Sequence, residues 1–586
     1  MKTVLFAAAA LLGASLAGSA LAQTPGQALA QLFEDERAFV WRENPIAATR
    51  NGVHDYDDRL GSVTPADQAR RDREVRSFLD RLRAIDRGAL SYQEQISYDL
   101  FEFTLVQDLE FEPYDTWRLP LNSDSGFYSG VLLLADTNAP RTVRDYENYI
   151  ARLNDVPRYF GEHTENMRQG MRDGFTLPAA ITPGVAAVIE GFAFERPEDT
   201  PMWTPFESFT DAVPEAERER LAGAGRRAIA ESVIPAFDAF RVFFVEEYAP
   251  RARSTIAATR LPNGRAYYAD LVRYFTTLPD ATPREIHRTG LAEVARIRAE
   301  MEAIIEEVGF EGSFAEFLEF LRTDPQFYAT TPEQLLHHAA WITREIDREM
   351  PNYFGRIPRT PYTVQPVPAA FAPNYTAGRY NSGRLGAAGT YWVNTYALET
   401  RTLYTLPALT AHEAAPGHHT QGALARELEG LPRFRQSFYP HAFGEGWGLY
   451  AERLAGEMGI YHTPYERFGQ LTYEMWRACR LVVDTGMHSM GWSRQRALDY
   501  LESNTALSTH EIRTEIDRYI AWPGQALAYK IGELKIIELR ERAESALGER
   551  FDIRDFHDAV LANGGVTLPV LEQQIDAYIA SARAAE

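Results

Sequence analysis

The chain has 586 residues, with 60 Lys and Arg against 82 Asp and Glu and a formal net charge of −22. A chain this acidic is a poor match for nucleic acid or an anionic membrane, since both need clustered Lys and Arg. Its single cysteine, Cys479, excludes an intramolecular disulfide, and its apolar neighbours Trp476, Leu481 and Val482 make it a core residue rather than a nucleophile.

Residues 1–22 read as a secretory signal. Lys2 precedes an apolar stretch from Val4 to Leu16, and Ala20-Leu21-Ala22 forms a small-x-small cleavage site. The apolar run is too short for a membrane span. The residue after the site is Gln23 and not Cys, so this is not a lipoprotein signal. A periplasmic or secreted protein is expected, with no membrane anchor after cleavage. Removal of 22 residues leaves 564, and loss of Lys2 takes the charge to −23. That length allows a large core and more than one structural unit.

Helical patterns dominate the next part of the chain, over residues 28–43, 64–84, 92–109, 142–172, 214–247, 282–307 and 332–350. Apolar residues recur at spacings of three and four, as in Ile286, Leu291, Val294, Ile297, Met301 and Ile305. Thr282-Pro283 and Thr331-Pro332 are a cap and first-turn proline. The pattern lapses between Pro351 and Thr400, where prolines and then glycines forbid a long helix. Within this stretch residues 390–395 read as a short strand. The expectation is a mainly α protein with a small β element near residues 360–396. Residues 23–350 form an N-terminal helical region, and residues 351–586 form a catalytic region continuous with it.

From Pro407 the helices resume and carry the densest chemistry in the chain. Ala411-His412-Glu413-Ala414-Ala415-Pro416-Gly417-His418-His419-Thr420-Gln421 holds three of 13 histidines, with a glutamate directly after the first. Zinc-peptidase helices place two His at i and i+4, so that both rings reach one ion, and the Glu after the first acts on water. Here His418 and His419 follow His412 by six and seven residues. On a straight helix i+6 points about 120° away and i+7 lies about 10.5 Å along the axis, so neither shares an ion with His412. Pro416 cannot donate to the His412 carbonyl, and Gly417 tolerates unusual dihedrals, so a bulge or kink is expected there. His418 is the preferred second ligand and His419 the alternative. Glu445, in Gly444-Glu445-Gly446-Trp447-Gly448-Leu449-Tyr450-Ala451-Glu452, is the candidate third. Glu452 is its reserve or a partner to a ligand.

These two motifs resemble those of the bacterial family called domain of unknown function 885. That family is in turn similar to the helical gluzincin zinc metallopeptidases, with a likeness that spans nearly all of the mature chain. The resemblance implies an all-helical zinc peptidase with a deep central cleft that favours short or unfolded peptides. It also implies an edge strand near the zinc that pairs with extended substrate, for which the strand at 390–395 is the candidate, although it reads equally well as an ordinary buried strand. Arg379 and Tyr380 before it are candidates to hold a substrate carboxylate, or simply a solvated pair. A tyrosine downstream of the zinc glutamate that hydrogen-bonds the tetrahedral intermediate is matched in position by Tyr529, although with 29 tyrosines in the chain packing is the default role.

The helix at 464–488 places Arg480, Asp484 and His488 on one face. Asp484 is a candidate to orient a ligand His and His488 to donate to an oxyanion, although a buried salt-bridge network accounts for them equally well. His557 reads as structural. The expected activity is hydrolysis of peptide bonds with one Zn²⁺ held by His412, His418 and Glu445. Glu413 is its general base, with Tyr529 and His488 stabilising the oxyanion. The alternatives are hydrolysis of another amide or an ester, or an inactive peptide-binding protein.

Overall fold

The computed structural model describes residues 23–584 except 124, 138, 370–371, 373–374 and 383–387. The expected signal, residues 1–22, lies outside them, as do Gly383, Gly386 and Pro373.

The protein is mainly α. Thr24, Thr64, Ser91, Thr142, Thr282, Ser313 and Thr331 each cap the next helix by accepting from a backbone amide of its first turn. This satisfies donors that a helix N-terminus leaves unpaired. The expected helix over 142–172 is two, Val143–Asn154 and Val156–Asp173, because Pro157 belongs in a first turn and starts a new helix. The run over 214–247 widens into π-turns at Ile229–Val233 and Phe243–Tyr248. Pro235 has no N–H to give the Glu231 carbonyl, which removes an α-type bond at the first of them.

The long helix Pro464–Ser489 forms the middle of the molecule. Cys479, Leu481, Val482, Val483 and Met487 on it are all fully buried. The helix Pro283–Glu307 packs along it. The helices His441–Glu457 and Ala528–Leu547 form a second close pair. A Cβ on Gly446 would stand 2.5 Å from the Gly532 Cα, so two glycines let these backbones touch. That contact brings Glu445 and Tyr529 to the same region. One cluster of buried apolar side chains runs from Leu60 to Ile579, across residue 350. A smaller one, with Leu32, Phe78 and Phe101, ties together the first helices, Pro25–Glu43, Pro65–Arg83 and Tyr92–Phe111.

The β element is a three-stranded sheet in the order β1-β3-β2, with β1 Tyr362–Pro366, β2 Gly378–Asn381 and β3 Gly389–Val393. β1 runs parallel to β3, pairing Tyr362 with Gly389, and β2 runs antiparallel, pairing Tyr380 with Tyr391. The strand expected at 390–395 is therefore the central one. Both its edges are taken, and it cannot accept an added peptide strand. β2 is the edge strand beside the histidine motif.

Candidate metal centre

The helix carrying His412 spans Leu406–Glu413 and stops, and a new helix begins at His418 and runs to Glu427. The interruption is thus a complete break and not a kink. Pro416 leaves the His412 carbonyl without its usual donor. The chain turns through Ala414 and Gly417, and the Gly417 amide donates back to the Ala411 carbonyl at 3.0 Å. A Cβ on Gly417 would lie 1.9 Å from the His412 carbonyl oxygen, so only glycine fits this position. The indole of Trp447 donates to the Pro416 carbonyl at 2.9 Å and pins the turn to the Glu445 helix.

The break sets the His412 and His418 rings nearly perpendicular, with centroids 4.7 Å apart. Nε2 of His412 lies 3.7 Å from Oε2 of Glu445, and Nε2 of His418 lies 3.5 Å from the same oxygen. One ligand atom from each of the three residues lies within 4.8 Å of the other two. Gly448 makes room for this, since a Cβ there would meet the His412 ring at 2.7 Å. His419 points elsewhere. Its Nδ1 meets the Tyr380 hydroxyl at 3.1 Å, its ring packs 4.4 Å from Tyr362, and burial pushes its pKa down to about 4.

Nδ1 of His412 meets Oε1 of Glu452 at 2.7 Å, and the Arg477 guanidinium lies 3.3 Å from that oxygen. Burial opposes the charged form of His412, yet Glu445 and Glu452 outweigh it and raise its pKa to about 10. Burial likewise opposes the Glu445 carboxylate, and the two imidazoles hold it well below the usual range. Glu413 ends its helix facing β2, where Oε2 accepts the Tyr380 amide at 2.7 Å.

Tyr529 lies in the first turn of the helix Ala528–Leu547, with its ring 6.4 Å from that of His412 and tilted only 21° from it. The guanidinium of Arg480 covers its face at 4.3 Å. Tyr439 had no motif to mark it. Its hydroxyl donates to Oε1 of Glu445 at 3.3 Å. Its phenol is pushed well above 10, first by enclosure in protein and then by Glu445, Tyr529 and Glu413, yet 46% of the residue remains accessible.

Two residues on the long helix stand apart from the expectation. Nδ1 of His488 accepts the Ala258 amide at 3.0 Å, and Nε2 donates to the Tyr519 carbonyl at 2.9 Å. With both nitrogens engaged and no exposed surface, His488 has no donor for an oxyanion. Asp484 accepts from the Tyr268 hydroxyl at 2.6 Å and the Gly524 amide at 3.1 Å, so Glu452, and not Asp484, backs a histidine of the cluster. Arg379 is exposed and lies over the Tyr375 ring, whereas Tyr380 is engaged with His419 and Arg426. His557 is buried between Tyr450 and the Tyr353 carbonyl. A partly enclosed recess of about 260 Å³ opens beside the His412 helix, lined by Leu406, Leu409, Val393, Tyr473 and Glu511. A larger surface depression near Asp72, Trp117 and Arg172 includes none of the cluster.

Among the described residues no helix is long and apolar enough to cross a membrane. A comparison with curated proteins finds no match. Two solved structures are similar along almost their whole length. One, described as "the putative lipoprotein from Colwellia psychrerythraea", shares 27% identity at a TM-score of 0.88 and covers 95% of this chain and 100% of its own. The other, "a putative lipoprotein of unknown function from Shewanella oneidensis", shares 18% identity at a TM-score of 0.75. It covers 94% of this chain and 99% of its own, and its likeness is one of fold. The family model described as "Bacterial protein of unknown function (DUF885)" matches residues 45–575, and the chain belongs to that family.

Proposed function

We propose that this protein is an exported zinc-dependent hydrolase that cleaves peptide bonds in short peptides. The observation that carries the reading is the convergence of His412, His418 and Glu445 on one point, with Glu413 beside them. Ligand bonds near 2.1 Å at tetrahedral angles put donors about 3.4 Å apart. The imidazole-to-carboxylate separations of 3.7 and 3.5 Å are close to that spacing. Two nitrogens and one carboxylate with the fourth position open are the donor set of catalytic zinc. The Glu452 contact supports the fit, because a ligating histidine normally gives its other nitrogen to a carboxylate or carbonyl.

His412, His418 and Glu445 would hold the zinc, which when bound would supply a Lewis acid that makes water easier to deprotonate. Glu413 takes a proton from the attacking water and passes it to the leaving amine. Its carboxylate is steadied by the Tyr380 amide, which leaves the other oxygen for that work. Tyr529 donates its phenolic hydrogen to the developing oxyanion. His488 has no part in this scheme. Because the Tyr380 amide turns toward Glu413 and away from β3, the outer edge of β2 faces the same space. Extended substrate would add to that edge.

Export is supported by the resemblance to structures described as lipoproteins of other bacteria. The test is metal analysis of the purified protein together with cleavage of a mixed peptide library and a panel of simple esters. Zinc at one ion per chain and selective peptide cleavage are expected. Metal-free protein that hydrolyses neither class would overturn the reading.

A further inference from the structure

Arg518 sits on the helix Thr509–Ala521, with 23% of its side chain accessible. Its guanidinium donates to Oε2 of Glu515 at 3.2 Å and to Oε1 of Gln525 at 2.6 Å. Arg480, which donates to the same Glu515 oxygen at 3.0 Å, lies 4.3 Å over the Tyr529 ring, and the Tyr529 phenol helps to favour the charged form of Arg518. Arginine has five N–H donors, so these two acceptors leave Arg518 capacity for a further oxygen. The rings of Tyr519 and Trp522 flank it at 6.0 and 5.9 Å.

The charges around it do not balance. Glu515 also accepts from Arg480 at 3.0 Å and from the Tyr519 hydroxyl at 2.6 Å. One carboxylate thus serves two guanidinium groups. Arg477 is taken by Glu452. Glu511 faces Arg401, Arg477 and Arg480, and burial pushes its pKa to about 7 against their pull. It therefore does not fully cancel the excess. The Arg518 charge also reaches His441, in the first turn of the helix that carries Glu445. On a chain of net charge −22, a cation in surplus beside the phenol of Tyr529 calls for a local partner.

We propose that Arg518 anchors a substrate carboxylate next to Tyr529, so that preferred substrates carry one beside the scissile bond, as a C-terminal carboxylate or an acidic side chain. Arginine suits this role because its fork matches both carboxylate oxygens. The assignment deepens the hydrolase reading and rests on it for turnover, though not for binding.

The experiment compares benzoyl-Gly-Phe, its C-terminal amide, and benzoyl-Gly-Glu amide as substrates of the zinc-loaded full chain. At least one carboxylate-bearing peptide should exceed benzoyl-Gly-Phe amide in kcat/KM by about tenfold or more. Arg518→Gln should collapse that ratio, mainly through KM, and Arg518→Lys should retain part of it. Which carboxylate peptide is favoured separates a chain terminus from an acidic side chain. Parallel loss on all three peptides with the ratio intact, or no ratio in the wild type, overturns the proposal, since a structural role or one confined to Tyr529 would act on all alike. Calorimetric binding of the same peptides to Glu413→Gln, with and without Arg518→Gln, reads the anchor without turnover. If no peptide is cleaved but the carboxylate preference appears and vanishes with Arg518, the hydrolase reading falls and the anchor stands. If binding shows no preference, the anchor falls. Thermal melts confirm that each variant is folded.

Discussion

Glu452 joins His412 to Arg477: one oxygen lies 2.7 Å from the imidazole Nδ1 and 3.3 Å from the guanidinium. The carboxylate is fully buried, and it leaves Nε2 of His412 as the nitrogen that faces Glu445. A backing carboxylate fixes the tautomer and makes the imidazole a better ligand. Glu452→Gln is expected to weaken zinc binding about 10- to 100-fold, read by competition with a chelator. Glu452→Ala also strands the buried Arg477 charge and should cost about 3–5 kcal/mol of stability. Unchanged zinc affinity in the glutamine variant would sink this account.

Removing Glu413 separates metal binding from chemistry. Glu413→Gln should keep its zinc and lower kcat by about 10²- to 10⁴-fold, the range for a positioned general base. His412→Ala should lose both zinc and turnover. A chelator should abolish activity in the wild type and added zinc restore it. A glutamine variant that turns over normally would remove Glu413 from the mechanism.

Gly448 carries a prediction about space. A Cβ there would lie 2.7 Å from the His412 ring, whose Nδ1 is held at 2.7 Å by Glu452, one turn further along the same helix as Gly448. Gly448→Ala must push the imidazole off its line to Glu445 or move the helix. Reduced zinc content with about 1–3 kcal/mol of lost stability is expected, as for other overpacked cores. Full zinc occupancy at wild-type melting temperature would show that the ring yields freely.

The buried Asp484 makes stability depend on pH in a definite direction. Burial pushes its carboxyl up to about 7, against the Tyr268 hydroxyl and the Gly524 amide. In the unfolded chain an Asp titrates near about 3.9. The folded protein therefore holds a proton that the unfolded chain has released. This contribution is complete below about pH 4 and is lost as pH rises through about 7, a loss of order 4 kcal/mol. Asp484→Asn stays neutral throughout. Its melting temperature relative to wild type should climb between pH 5 and pH 8, and a gap independent of pH would contradict the assignment.

Much of the helical scaffold could be read in advance, because capping residues and apolar spacing are local. Thr282 and Thr331 begin helices where their side chains predict. The break at Pro416 was likewise legible as a place where an α-helix cannot continue, though its form as two separate helices was not. The strand at 390–395 shows the limit: its alternation marks a strand but says nothing of how many neighbours it has. In the sheet it lies between β1 and β2, which are the two edge strands. His488 and Asp484, readable either as site residues or as part of a buried network, show a related limit. Polar groups on an apolar helix announce that they have partners, and only packing reveals that these partners are Ala258, Tyr519, Tyr268 and Gly524.

By itself, the order of residues determined the donor types, the glutamate beside the first histidine and the interruption that lets a later histidine return, since these arise from covalent structure and short-range backbone limits. Tertiary packing alone decided that His418 and not His419 turns to Glu445, that Glu452 stands behind His412, and that the Tyr439 hydroxyl reaches Glu445. The direction of a side chain is set by the space its neighbours leave, and here those neighbours come from other elements, such as Glu445, 27 residues after His418, and Glu452, 40 residues after His412.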